Sequence, residues 1–356
     1  MRKRLKQLCR GISRNHICPI CCIVPPYITD QIIVNGDEGQ RDWALQTLRA
    51  SEQFRGRREA VGAVRFMAPA NEKRRTIYDA KTATDLPGTI VRGEGDPPVE
   101  DVAVNEAYDG SGATYDFYAE VFERNSIDGQ GMRIDSTVHY NQKYNNAFWN
   151  GSQMVYGDGD GTLFNRFTIS IDVIGHELTH GVTQNEAALN YKGQSGALNE
   201  SFSDVFGSMI KQYHLKQTAD QADWLIGQGL LTSKVSGEAL RSMKAPGTAY
   251  DDKVLGKDPQ PAEMKSLYAG NADNGGVHIN SGIPNRAFYL MATAIGGNSW
   301  EKAGRIWYVA LTERLRPDAD FKTAANAMIA IATELYGQDC NEQKAVQSAW
   351  QTVGVI

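Results

Sequence analysis

The sequence predicts an α+β fold: a β-rich α+β domain, then a mostly helical domain, with a short leader ahead of both. Three observations carry this. Between about residue 60 and residue 170, short β-type runs alternate with turn-rich pieces. Beyond about 170, apolar residues recur at three- and four-residue spacing, the period of an amphipathic helix. The first stretch, up to about residue 55, differs in character and holds Cys9, Cys18, Cys21 and Cys22, leaving only Cys340 for the remainder. A chain of 356 residues suits two or three domains.

In the leader, Val24-Pro25-Pro26-Tyr27 predicts extended backbone, because proline fixes φ and disfavours helix in the residue before it. Gly39 to Phe54 carries Trp43, Leu45 and Leu48 and reads as a short helix. Arg55-Gly56-Arg57-Arg58-Glu59 is a polar joint to the body. The division expected is 1–58 for the leader, 59–190 for the α+β domain and 191–356 for the helical domain, with leader removal within about 50–75. In the body, Thr89–Arg92 and Met132–Tyr140 have strand character. Tyr108-Asp109-Gly110-Ser111-Gly112 and Gly157-Asp158-Gly159-Asp160-Gly161 read as turns, and Ala113–Phe122 as a helix. The helical pattern then covers Ile171–Gln184, Ala197–Tyr213, Ile283–Ala294, Trp300–Leu315 and Thr323–Tyr336.

Composition removes several classes of function. The net charge is −5 with basic residues dispersed, so no nucleic-acid partner is expected. No apolar run reaches the length of a membrane span. Met1-Arg2-Lys3-Arg4 resembles the start of a signal peptide, but the apolar segment after it is broken by Pro19, Pro25 and Pro26. With one cysteine, the body must rest on packing and on metal rather than on disulfides.

The chemistry begins at His176-Glu177-Leu178-Thr179-His180, inside a helical pattern. Residues four apart on a helix share a face, so two imidazoles can hold one tetrahedral zinc while Glu177 reaches a metal-bound water. A third ligand is needed. Thr183 and Glu186 stand where metzincins need glycine and histidine, which excludes that class. Further on, Glu200 and Asp204 are again four apart in a helical segment. One can ligate zinc; the other can accept the second ring N–H of a ligand histidine and fix its tautomer.

With these residues in view, the chain resembles the thermolysin family of zinc metalloendopeptidases. The resemblance extends to Asn145–Gly161, Leu240-Arg241-Ser242-Met243 and Asp273–Gly282, spanning roughly residues 75–356. It implies that His176, His180 and Glu200 hold a single catalytic zinc and that Asp204 supports a ligand histidine. It implies Glu177 as general base, His278 and Tyr191 as oxyanion donors, and Asp273 as the group orienting His278. Asn145 to Phe148 would form the edge strand along which substrate lies, with Asn146 and Ala147 on its main chain and Arg241 on the carbonyl just past the scissile bond. Phe164, Phe167, Val173 and Leu240 would line the specificity pocket, all apolar, so cleavage is expected N-terminal to bulky hydrophobic residues. The expected partners are peptide and protein substrates and the chain's own leader; the protein is expected to be a monomer. Extracellular location is expected without a classical signal peptide, the alternative being cytoplasmic.

Two departures stand out. Asp172 and Asp223 match the family's calcium pair, but Lys211, Leu225 and Gln228 replace the other carboxylates, so that double site is expected to be absent, with Lys211 pairing Asp172 instead. The short leader with Pro25-Pro26-Tyr27 resembles the protealysin-like branch, which implies a leader that fills the cleft and is removed by autoprocessing. Cys22 has three readings: an incidental cysteine, a thiolate latch on zinc, or part of a knuckle with His16, Cys18 and Cys21. Two rival functions, an inactive binding protein and a zinc-stabilised scaffold, would require a lost Glu177 or ligand, or a closed four-ligand site; neither is present in the sequence.

Overall fold

A computed structural model describes residues 22–58 and 72–356 of the chain. The leader contributes two helices, α1 (Pro26–Asn35) and α2 (Glu38–Arg58). Extended backbone is found at Pro25 (φ −64°, ψ 150°) but ends there, a correction to the extended reading of 24–27. Pro26 starts α1 because the first helical turn has no use for the missing N–H and the fixed φ suits a helix. Ile23, Val24, Ile28 and Ile32 are fully buried in the main core, so the leader is part of the packed body.

One five-stranded sheet follows, in the order β2-β1-β3-β5-β4, built from β1 (Arg75–Asp79), β2 (Thr89–Gly93), β3 (Ile134–Val138), β4 (Ala147–Trp149) and β5 (Met154–Tyr156). The pairs β1–β3 and β3–β5 are parallel, whereas β2 and β4 join antiparallel at the edges. Helix α3 (Val102–Phe122) packs on this sheet, capped by Asp101, whose side chain accepts from Ala103 N at 2.9 Å. It begins eleven residues before the expected helix, and Tyr108–Gly112 is helical rather than a turn. Gly110 is there for space: a Cβ would lie 2.3 Å from Ile174 Cδ1.

The two site-bearing helices are α4 (Ile171–Asn185) and α5 (Gly193–Leu215). They meet through small residues. A Cβ on Gly207 would lie 2.4 Å from the Asp172 carbonyl oxygen, and one on Gly175 3.3 Å from Gly207 Cα. This close approach brings Glu200 and Asp204 on α5 opposite the histidines of α4. A short ribbon of β6 (Leu225–Ile226) and β7 (Arg241–Ser242) adds Arg241 to the same side. A second ribbon pairs β8 (Asp251–Asp252) with β9 (Gly256–Lys257). The rest is helical: α6 (Asp273–Asn280), α7 (Gly282–Ile295), α8 (Lys302–Val309), α9 (Phe321–Tyr336) and α10 (Asn341–Thr352). The expected helix at 300–315 divides into α8 and one π-helical turn, Ala310–Arg314. Helix α10 was not anticipated; its Val346 and Trp350 are fully buried, and Trp350 stacks near Trp307. No described helix is long and apolar enough to cross a membrane.

Candidate active site

Helix α4 presents His176, Glu177 and His180, all buried. His176 Nδ1 lies 2.8 Å from Asp204 Oδ1, and His180 Nδ1 lies 2.8 Å from Asn199 Oδ1 and 3.0 Å from Ser203 Oγ. With Nδ1 protonated and donating outward, both Nε2 lone pairs face inward, 3.0 Å apart. Glu200 places a carboxylate oxygen 3.5 Å from each. The three ligand atoms lie within 4.8 Å of one another. Converging lone pairs repel unless a cation sits between them, and Glu200 Oε2 and Glu177 Oε1 are buried without a hydrogen-bond partner. Two imidazoles and one carboxylate fit a divalent metal ion, with a position left open.

Around this group stand the remaining predicted residues. Glu177 Oε2 accepts from the Trp149 backbone N–H at 3.0 Å. Burial, and then the neighbouring Glu200 charge, push the Glu177 pKa well up. The Tyr191 hydroxyl donates to Glu200 and lies 3.1 Å from His278 Nε2. Asp273 accepts from His278 Nδ1 at 2.6 Å and from its backbone N–H at 2.8 Å. Asn274, Gly275 and Gly276 bend the backbone between them through left-handed conformations. Burial opposes a charge on His278, but Glu200 and Asp273 outweigh it and raise its pKa.

Asp204 is fully buried and carries four hydrogen bonds. Besides His176, it accepts Arg241 Nε and Nη2 at 2.8 Å each and Asn285 Nδ2 at 2.8 Å. Burial alone would raise its pKa, yet Arg241 and His176 hold it far below the usual carboxylate range. Arg241 reaches on, with Nη1 donating to the Ile23 carbonyl at 3.1 Å.

The leader lies along the sheet edge at β4. Ile23 N donates to the Ala147 carbonyl at 3.2 Å, and Cys22 pairs antiparallel with Phe148. Asn146 brackets Val24, accepting its N–H at 3.0 Å and donating to its carbonyl at 3.2 Å. Pro25 and Pro26 make the turn into α1, and the buried Tyr27 hydroxyl has its pKa raised by burial and by the nearby Tyr250. The thiolate latch would require the Cys22 sulfur to join the metal donors. Cys22 is buried among Tyr140, Tyr144, Phe148 and Val155, and among the described residues the metal-donor group is His176, His180 and Glu200 alone. The knuckle reading rests on His16, Cys18 and Cys21, which lie outside the described residues.

Phe164, Phe167, Val173 and Leu240 are all fully buried in the core cluster that also holds Ile23. Lys211 Nζ lies 3.5 Å from Asp172 Oδ2 and 2.6 Å from Asp223 Oδ2. Four contributors escaped sequence reasoning: Trp149, Asn199, Asn285 and Ile23. Asn199 adjoins Glu200 and was within reach of the helical argument; Asn285 sits 81 residues from Asp204 with no local signal.

Comparison with known proteins agrees with this geometry. The catalytic-domain family of thermolysin metallopeptidases matches residues 64–184, and its alpha-helical-domain family matches residues 187–355. The protealysin propeptide family matches residues 21–49. An extracellular metalloprotease of Pectobacterium carotovorum subsp. carotovorum is 54% identical over 338 residues, covering 95% of this chain and 97% of that protein. The protease PrtS of Photorhabdus sp. (strain Az29) is 48% identical, covering 94% and 91%. The solved precursor of protealysin, a metalloproteinase from Serratia proteamaculans, superposes with a TM-score of 0.87 at 55% identity, covering 94% of this chain and 100% of that one. With its propeptide, catalytic and helical portions all matched, the chain belongs to the thermolysin family of metallopeptidases and is a metalloendopeptidase precursor.

Proposed function

We propose that the chain is a zinc endopeptidase that cuts peptide bonds N-terminal to bulky hydrophobic residues and is held silent by its leader until autoprocessing. The observation that carries this is the convergence of His176, His180 and Glu200 beside Glu177, which is itself bonded to the edge strand along which the leader lies. Bound by those three, zinc would supply the Lewis acidity that acidifies a water and polarises the scissile carbonyl.

The chain's own residues do the rest. Glu177, buried beside the metal-donor group and held by the Trp149 N–H, takes the proton of the attacking water and passes it to the leaving nitrogen. His278, kept protonated beside Asp273, and Tyr191 donate to the developing oxyanion, a contribution of about 3 kcal/mol in comparable sites. Asn146, Ala147 and Arg241 hold the substrate main chain, as the leader contacts suggest. Phe164, Phe167, Val173 and Leu240 supply the apolar pocket, and Asp204 keeps His176 in its ligating tautomer.

In this reading the leader is residues 1–58, the α+β domain 59–190 and the helical domain 191–356, with removal of the leader within about 50–75. Lys211 replaces the calcium pair, the enzyme acts as a monomer, and it works outside the cell, as the name of the Pectobacterium relative supports. Glu177→Gln is the test. It should abolish casein cleavage while zinc and fold are retained, and a peptide library cut by wild type should select hydrophobic residues after the scissile bond. Cleavage undiminished in Glu177→Gln, or a library dominated by charged residues at that position, would overturn the proposal.

A further inference from the structure

The leader strand meets the catalytic side chains in one register, and two independent contacts select the same residue. The Ile23 N–H donates to the Ala147 carbonyl at 3.2 Å and faces the Glu177 carboxylate. A nitrogen so placed is positioned to receive the proton that Glu177 delivers. The Ile23 carbonyl, on the other side of the residue, accepts from Arg241 Nη1 at 3.1 Å. That is the hold expected on the carbonyl just past a scissile bond. Val24 is then fastened at both N–H and C=O by Asn146, and Cys22 pairs with Phe148 behind. Ile23 itself is a bulky apolar residue, fully buried in the core with the proposed pocket residues.

We propose that the Cys22–Ile23 peptide bond is a self-cleavage site, hydrolysed by the chain's own centre while the leader stays docked. The inference rests on the mechanism proposed above. One water is consumed. Its oxygen adds to the Cys22 carbonyl carbon, Glu177 carries its proton to the Ile23 nitrogen, and the C–N bond breaks. The second water proton also passes to that nitrogen, so the products are a Cys22 carboxylate and an Ile23 ammonium, with no oxidant or further reactant.

This cut does not activate the enzyme. The new N-terminus belongs to a strand continuous with α1, whose Ile28 and Ile32 are buried in the core. The tether keeps its effective concentration at the cleft in the millimolar range or above, so the product remains as an inhibitor. A gained ammonium facing the Glu177 carboxylate strengthens that hold.

The experiment uses the full chain purified with zinc, as wild type, Glu177→Gln, Ile23→Leu and Ile23→Asp, followed by intact mass and N-terminal sequencing over time. Wild type should yield a polypeptide beginning at Ile23, at a rate independent of protein concentration. Glu177→Gln should retain the Cys22–Ile23 bond, Ile23→Leu should be cut within a few-fold of wild type, and Ile23→Asp at least tenfold more slowly. Hydrogen exchange should find the Val24 and Ile28 amides as protected after the cut as before. An intact Cys22–Ile23 bond in wild type whose leader-free form cleaves casein would overturn this inference while leaving the peptidase reading in place. A cut at Ile23 that persists in Glu177→Gln, or that accelerates with concentration, would also overturn it. If wild type neither trims itself nor, freed of its leader, cleaves casein, the underlying mechanism fails as well.

Discussion

Replacing Lys211 by methionine isolates the cation that faces the buried Asp172 carboxylate. Asp172 is fully buried, and Lys211 Nζ lies 3.5 Å from its Oδ2 and 2.6 Å from Asp223 Oδ2. Two unit charges at that separation attract by about 5 kcal/mol at an effective dielectric of 20. The lysine has paid desolvation against this, its side chain being only 12% exposed, so the net worth of the pair is smaller. What matters in the variant is the carboxylate left behind. Breaking a buried pair from one side costs about 3–5 kcal/mol. Here Asp172 keeps hydrogen bonds from Ser170 Oγ at 2.6 Å and Gly227 N at 3.3 Å, and Asp223 is partly exposed. These offset part of the loss, leaving about 2–4 kcal/mol.

Methionine is as good a helix former as lysine and fills similar volume, so neither propensity nor packing confuses the result. At an unfolding entropy of about 2.1 cal/mol/K per residue, a body of roughly 300 residues shifts by about 1.6 °C per kcal/mol, so Tm should fall by roughly 3–6 °C. Calorimetry in zinc-containing buffer, with and without millimolar calcium, reads the effect. Wild type should be indifferent to calcium, and Lys211→Arg should recover most of the loss. A Tm within about 1 °C of wild type for the methionine variant, or a wild type that gains many degrees from calcium, would show that the lysine does not serve this role.

His139 sits between Asp158, 2.8 Å from Nδ1, and Asp101, 2.8 Å from Nε2, and the Asp158 hydrogen bond above all raises its pKa to about 9 from an ordinary 6.5. Because the folded value is the higher one, the stabilisation is complete below pH 6.5 and lost as pH rises through about 9. The Tm gap between wild type and His139→Gln should therefore be constant on the acid side and shrink across that window; a gap that widens with pH refutes the assignment. Gly207→Ala, a substitution that stabilises most helices, should here do the reverse, because its Cβ would lie 2.4 Å from the Asp172 carbonyl oxygen and 3.1 Å from His176 N. Chelator competition should show weaker zinc retention alongside a stability loss of about 1–3 kcal/mol, and unchanged zinc affinity would mean that the two helices can separate without disturbing the site.

Much of the site was legible because it is written in helical spacing. His176 with His180, and Glu200 with Asp204, each lie four apart, so the period alone puts each pair on one face. Asp273 and His278 were legible only through the family resemblance; in the fold, Asn274, Gly275 and Gly276 between them take the left-handed conformations that fold one back on the other. What escaped depended on space rather than pattern. Gly110 and Gly112 resemble turn residues, yet they lie inside α3 because Ile174 and Arg75 occupy the room a side chain would need. Helix α10 carries only Ala345, Val346, Ala349 and Trp350 towards the core, too few apolar residues to announce twelve helical ones. Pro26 misled in the opposite sense, since the same fixed φ that favours extended chain also suits the first turn of a helix.

In the function proposed above, the leader would inhibit by using the binding apparatus rather than by avoiding it. Asp204 holds His176 with one oxygen and shares both oxygens with Arg241, so a single buried carboxylate links the metal group to the arginine that grips the peptide carbonyl. Arg241 in turn spends its remaining nitrogen on Ile23. Any peptide that satisfies this arginine is thereby aligned with the metal group, which makes a tight competitor and a substrate geometrically alike. What separates them is the tether. A free substrate leaves after hydrolysis, whereas Ile23 is anchored through Val24 to a helix whose apolar face is part of the core. On the proposed reading, inhibition would therefore rest on the core packing of α1 more than on chemical resistance of the strand, and release would require that α1 come away.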